Sequence, residues 1–238
     1  MTTTDKPKFQ EVLIPFKHGR GAFLKIHVAE ARKNKDGTPK PGAKKKYSGE
    51  ILLDPTNVDN QKTIAIVKSE SVRALNWRFG TPENPNPFTI AALEQVATGE
   101  RSPPGFHLCW GYGNSLPAFG KKIYDGYKDM FFVRLTRNED DGRPVLLDRN
   151  GAPVKEGDAQ CPYSGAVLAG VFSIYSYNNE SKGVNAQMRT LVYQDKGAAF
   201  GKGSVDAASD FAALGDLGGT SAPNDAGGGA AFDPFAIT

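Results

Sequence analysis

Gly165-Ala-Val-Leu-Ala-Gly-Val-Phe-Ser-Ile-Tyr-Ser-Tyr177, Asn178-Asn-Glu-Ser-Lys-Gly183, Val184-Asn-Ala-Gln-Met-Arg-Thr-Leu-Val-Tyr193: two β-rich runs flank a short polar turn. In the first run Val167, Ala169, Val171, Ser173, Tyr175 and Tyr177 share one face. Ala166, Leu168, Gly170, Phe172, Ile174 and Ser176 share the other. A period of two marks a strand. The returning run sets Gln187, Arg189 and Tyr193 opposite Met188, Thr190 and Val192. With Asn and Gly between them, the two runs read as a β-hairpin.

Further strand signals lie upstream. Residues 127–137 form one run, and Gly142 turns it into a short strand at 143–149 that ends at Asn150-Gly151. Residues 22–31 alternate, with Leu24, Ile26 and Val28 on one face and Phe23, Lys25 and His27 on the other. A basic turn region, 32–46, leads to a strand at 46–53 with Tyr47, Gly49, Ile51 and Leu53 on one side. Asp54-Pro55-Thr56 stops that strand, and Thr56 or Asn57 can cap a helix over 58–79 that ends near Gly80. Pro82, Pro85 and Pro87 interrupt regular structure before a shorter helix at 89–97, and 100–126 reads as irregular. Residues 1–20 are polar and basic apart from Val12-Leu-Ile-Pro-Phe16, as in an arm or an edge strand. A weak helix is read at 204–214.

This order predicts a mainly β fold with minor α. Five or more strands, hairpins and one main helix after the second long strand fit an oligonucleotide-binding (OB) fold, an antiparallel β-barrel. The expected organisation is an N-terminal arm (1–20), an OB domain (21–203) and a disordered acidic tail (204–238). Residues 204–238 contain five Asp and no Lys, Arg, Glu or His. Removing those five from 26 acids leaves 21 against 29 Lys and Arg, so the body carries +8 and the tail −5. That polarity suits a body that binds a polyanion and a tail shown to something else.

Several function classes are excluded. No run of ~18 apolar residues could cross a membrane, and Met1–Lys8 lacks the apolar segment of a signal peptide, so a cytoplasmic protein is expected. Two Cys and three His without zinc-ligand spacing argue against a metal, and no cofactor motif is present. The glycines of Gly111-Tyr-Gly-Asn-Ser115 are not followed by Lys-Ser/Thr, so they form no phosphate loop. Asp140-Asp141 has no second carboxylate cluster, and His18, His27 and His107 have no evident nucleophile partner. The chain reads as non-enzymatic.

One patch stands out. Residues 106–134 hold eight of the 24 aromatics, where about three would be expected, interleaved with Lys121, Lys122, Lys128 and Arg134. Cations pair with phosphates and flat rings stack on bases, which is the chemistry of sequence-tolerant single-strand binding. Phe119, Phe131 and Phe132 are expected to pack, whereas Tyr112, Tyr124 and Tyr127 are open to either role. The expected DNA-binding residues are Lys25, Tyr47, Lys121, Lys122, Tyr124, Arg134, Tyr175, Tyr177 and Arg189. Lys33, Lys35, Lys40 and Lys44-Lys45-Lys46 make a basic loop that would flank the groove of an OB barrel.

Three stretches carry a resemblance: Tyr127-Lys-Asp-Met-Phe-Phe-Val-Arg134, Tyr163 to Asn178, and Lys182-Gly-Val-Asn-Ala-Gln-Met-Arg-Thr-Leu-Val-Tyr193. Over roughly residues 9–205 the chain resembles a family of bacteriophage single-stranded DNA-binding proteins with an OB fold. The resemblance implies coating of single-stranded DNA in replication, recombination or repair, and an acidic tail that contacts replication partners. Bacterial proteins of this function end in an acidic stretch tipped by Asp-(Ile)-Pro-Phe. Asp225, Asp233, Pro234 and Phe235 are therefore the expected partner-binding tail, with Ala236-Ile237-Thr238 following the tip. Self-association is compatible with this reading. A phage structural or assembly protein is the alternative; it would have no need of the basic–aromatic patch.

Overall fold

The computed structural model describes residues 8–34, 36–124, 126–197 and 200. The chain opens with an 18-residue strand, β1 (Leu13–Glu30), which serves two partners. Its first half pairs with β7 (Val167–Asn178), from Leu13↔Ser173 to Arg20↔Val167. Its second half pairs with β2 (Lys46–Leu53), from Arg20↔Leu52 to Glu30↔Lys46. Breaks in register after Phe16 and after Ala22 bend the strand between the two, and His18 (φ 54°) and Phe23 (φ 49°) take the left-handed conformation. Bulges of this kind sharpen a strand's bend and twist.

The stretch read as an arm or an edge strand therefore enters the barrel from Leu13 onward. Ile14 and Phe16 are core residues, and the alternation seen from Ala22 is the second half of the same strand. The bulge also shifts the faces. Ile26 and Ala29 are buried, whereas Val28, grouped by alternation with Ile26, is 68% exposed.

Helix α1 (Val58–Phe79) follows β2 and begins where expected: the Asn57 side chain accepts bonds from the Asp59 and Asn60 amides. Its buried face carries Ile64, Val67, Ala74 and Leu75. Helix α2 (Ile90–Thr98) is capped by Thr89 and ends at Gly99 in the left-handed conformation (φ 82°). The segment read as irregular holds β3 (Phe106–His107), β4 (Trp110–Tyr112) and a 3₁₀ segment, Gly113–Phe119. Strand β5 (Phe131–Asn138) pairs with β2 along its whole length, from Leu53↔Phe131 to Lys46↔Asn138. Then come β6 (Val145–Leu147) and the β7–β8 hairpin, with β8 spanning Lys182–Asp195.

The barrel closes where β5 runs parallel to β8, with Leu135 beside Ala186 and Thr136 beside Gln187. The closed order is β1-β2-β5-β8-β7, back to β1. This five-stranded closed barrel, with three additional short strands, is the OB-like fold expected from the sequence. Ile14, Phe16, Ile51, Val133, Leu135, Phe172, Ile174, Ala186 and Met188 fill it, and α1 covers one side. Ser176 Oγ donates to Ala74 O (2.8 Å), Thr63 Oγ1 to Pro15 O (3.1 Å) and Arg78 Nε to Ser176 O (3.0 Å), tying α1 to β7 and β1. No helix among the described residues is long and apolar enough to cross a membrane.

Cys109 and Cys161 are both free and buried. Burial pushes the Cys109 thiol up to about 12, so it stays protonated through the neutral range. Cys109 should therefore resist maleimide at pH 7–8 in the native protein and react only on unfolding. Its labelling within minutes under native conditions would contradict the closed β4–β5 pairing.

Candidate nucleic-acid interface

Alternation on β2 and β5 sends Ile51, Leu53, Phe131, Val133 and Leu135 into the barrel, leaving the intervening residues on its outer surface. Register then aligns those outer residues in rows across three strands. Arg20, Leu52 and Phe132 form one row; Ala22, Glu50 and Arg134 form the next; Lys25, Ser48 and Thr136 form the third. Gln187 of β8 extends the third row, and Ser173 of β7 lies beyond it. Expected residues Lys25 and Arg134 thus stand on one continuous face, the strand 2–strand 3 face on which OB barrels carry oligonucleotides.

Arg134 is held in place without being buried. Its Nε donates to Glu50 Oε1 (2.9 Å), its guanidinium carbon lies 5.9 Å from the Phe132 ring centre, and its side chain is 43% exposed. Glu50 also accepts from the Tyr127 hydroxyl (2.6 Å). Burial, reinforced by the Glu50 carboxylate, raises the Tyr127 hydroxyl well above the usual tyrosine range, so it remains a donor. Tyr127 is 2% exposed and forms an outer minicore with Ala22, Leu52, Leu116 and Phe132. Its role is therefore packing. Tyr112 is likewise occupied: its hydroxyl donates to Glu94 Oε2 (2.7 Å) and accepts from Lys68 Nζ (2.8 Å).

Tyr124 has a different setting. It is half-buried, meets Phe23 edge-to-face at 5.3 Å, and has Lys122 Nζ 5.7 Å from its ring centre. Phe23 is 50% exposed. The two rings form an aromatic step on the open face, flanked by the exposed Lys25, Lys121 and Lys122. Near it, the Arg20 guanidinium lies 4.3 Å from the Phe200 ring centre.

Tyr175, Tyr177 and Arg189 lie on the outer face of the β7–β8 hairpin, joined to the first group across the barrel seam. Asn185 Nδ2 donates to Tyr175 Oη (2.8 Å) and to Thr136 Oγ1 (2.8 Å), stitching β8 to β7 and to β5. Burial raises the Tyr175 hydroxyl. Tyr177 is half-buried at the hairpin end. Arg189 Nη2 donates to Glu11 Oε2 (2.9 Å) and to Ser173 Oγ (3.2 Å), so its charge is met by the segment preceding β1. Lys25 pairs with Glu30 at 2.5 Å, but both side chains are exposed, where such a pair contributes about 0–1 kcal/mol. Tyr47 is not brought to this face. It registers with Arg137 and shares the inward parity of Ile51 and Leu53, at the barrel's end. In the basic loop, Lys44 and Lys45 meet Asp140 and Glu139 of the turn after β5 (3.1 and 3.9 Å). Asp225, Asp233, Pro234 and Phe235 lie outside the described residues, as does the helix read at 204–214.

Beside the Arg134 row opens a cleft of about 330 Å³, lined among others by Arg101, His107, Phe119, Lys121, Phe132 and Arg134. Phe119, expected to pack, is 45% exposed here. The aromatic-rich stretch of the sequence thus serves two surfaces, the step at Tyr124 and the cleft at Phe119.

Residues 119–221 match the family described as Enterobacter phage Enc34, ssDNA-binding protein. The resemblance read from the sequence is borne out over that stretch. Over 90 residues the chain is also 33% identical to protein p50 of Acyrthosiphon pisum secondary endosymbiont phage 1, a match covering 38% of this chain and 47% of p50. The chain thus spans about half the length of that relative. Among solved structures, the single-stranded DNA-binding protein from bacteriophage Enc34 superposes with a TM-score of 0.53 at 15% identity, covering 84% of this chain and 89% of that one. The same protein in complex with ssDNA gives a TM-score of 0.52, also at 15% identity, over 79% and 89% of the respective chains. At that identity the likeness is one of fold.

The sequence reading missed four contributors to these surfaces. Phe23 and Arg20 are placed by the bulges in β1, and Phe119 and Arg101 by segments without periodicity. Local density of rings and cations was the one signal that pointed toward Phe119.

Proposed function

We propose that the chain is a non-catalytic single-stranded DNA-binding protein that coats and protects DNA during phage replication, recombination or repair, in the cytoplasm of the host cell. The observation that carries this reading is the outer face of β1, β2 and β5. It carries Lys25, Arg134 and the open ring of Phe23, and the loop before β5 adds Tyr124 against Phe23 with Lys122 over its ring and the exposed Lys121 beside it in the chain. Cations spread along this surface would follow a phosphate backbone, and each stacked base contributes roughly 1–3 kcal/mol without regard to sequence. The family described for residues 119–221 supports the same reading. Among the described residues no group of three or more His, Cys, Asp or Glu could hold a metal ion, and none of the chemistry proposed needs one.

The test is a titration of fluorescent oligo-dT at two salt concentrations. Log affinity is expected to fall with log salt at a slope of about −0.7 per phosphate neutralised. Equal or better binding to duplex DNA, or no salt dependence, would sink the reading. The acidic tail belongs to the proposal as a contact for replication partners and a weak competitor for the DNA face. Removing residues 204–238 should tighten binding modestly, most visibly at low salt.

A further inference from the structure

The cleft beside Arg134 differs in character from the open face. Its charged lining is Arg101, Lys121 and Arg134, and the residues that line it include no carboxylate. Phe119 exposes nearly half its surface there. The walls are tied to the rest of the fold. On one side, the Lys182 amide donates to Gly105 O (2.8 Å), and β3 runs parallel to the start of β8. A Cβ on Gly183 would stand 2.0 Å from His107 O, so the hairpin and this wall can approach only through glycine. On the other side, Ala118 sits against Gly99, whose added Cβ would come within 2.6 Å of it, fastening the 3₁₀ segment to the end of α2. The Lys121 amide donates to Leu116 O (3.1 Å), which places that lysine at the mouth.

At about 330 Å³ the cleft sits at the small end of the range for small-molecule sites, which begins at about 300 Å³. It is too small for a run of nucleotides. Its chemistry asks for an anion joined to a flat aromatic group, and a base with its flanking phosphates supplies both. Resting on the single-strand reading above, we propose that the cleft is a mononucleotide subsite. It takes one base of the bound strand against Phe119, with the flanking phosphates on Arg101 and Lys121. The open face carries the remainder of the strand, so one nucleotide leaves the sheet surface and anchors its register.

The test compares the intact chain with Phe119→Ala and Arg101→Ala, both at exposed positions, using oligo-dT and the same oligonucleotide carrying 5-iododeoxyuridine for photo-cross-linking. Phe119→Ala is expected to weaken binding about 5- to 150-fold with an unchanged salt slope, because stacking releases no counterions. Arg101→Ala is expected to reduce the slope by about 0.7. Cross-links should map to the segment 101–121. Binding by Phe119→Ala equal to that of the intact chain, with cross-links confined to other segments, overturns the subsite and leaves the open-face reading standing. An intact chain that binds no oligo-dT overturns both.

Discussion

Replacing Lys121, Lys122 and Arg134 together by glutamine is expected to weaken oligo-dT binding by about 10²- to 10³-fold at 50 mM salt, and to flatten the salt slope by about 2. Each single-strand phosphate contact contributes about 0.7 to that slope, so three contacts contribute about 2. Glutamine suits Arg134 because it keeps a donor toward Glu50. Without one, that carboxylate, with a side chain only 15% exposed, would lose a partner and the result would mix folding with binding. Lys121 and Lys122 are exposed, so the fold should not register their loss. The measurement is a titration series from about 50 to 200 mM salt, with thermal melts of both proteins as control. An unchanged slope would mean that these cations do not meet phosphate.

The largest effect on stability is expected at Phe16. Its ring is 2% exposed, lies 6.1 Å from the Phe172 ring, and fills the space left by two glycines on neighbouring strand segments. A Cβ on Gly170 would stand 2.8 Å from that ring and one on Gly19 3.0 Å from it. So tightly enclosed a ring leaves a cavity that neighbours cannot fill without moving backbone. Phe16→Ala should cost about 3–5 kcal/mol. At roughly 2–4 °C per kcal/mol for a domain of this size, the melting temperature should fall by about 6–20 °C. A fall below about 3 °C would show that β1 and β7 collapse onto the void, contrary to the rigidity argued from the glycines.

Much of the fold was legible because periodicity is a local signal. The faces of β7 follow from Phe172 and Ile174 alternating with Ser173 and Tyr175, and they lie as alternation says. In β8 a register shift at Arg189 reverses them: Tyr193, read on the face of Gln187 and Arg189, joins Met188 and Leu191 in the core, while Thr190 and Val192, read with Met188, turn away from it. Asn57 and Gly99 mark helix ends by their own chemistry. Long-range pairing had no such signal. Leu13 meets Ser173, and Thr136 meets Gln187, through contacts that neither segment announces. Left-handed His18 and Phe23 are a second blind spot. Only the closing barrel forces those conformations, and they turn Phe23 toward Tyr124. The candidate site was legible as a region rather than as residues. A density of rings and cations located 106–134, but which rings pack and which stay open was decided by Glu50 holding Tyr127 and by Lys68 and Glu94 holding Tyr112.

The shared first strand also sets a timetable for synthesis. Translation delivers β1, β2, α1 and β5 early, yet the first half of β1 has no strand partner until β7 emerges, and the barrel cannot close until β8 follows. At about 5–20 residues per second, the ribosome needs roughly 3–11 s to travel from the end of β5 at Asn138 to the end of β8 at Asp195. For the part of that interval before β7 is complete at Asn178, Ile14 and Phe16 lack their strand partner on the nascent chain, so this protein is most vulnerable to mispairing with its neighbours on a polysome just before its last hairpin appears.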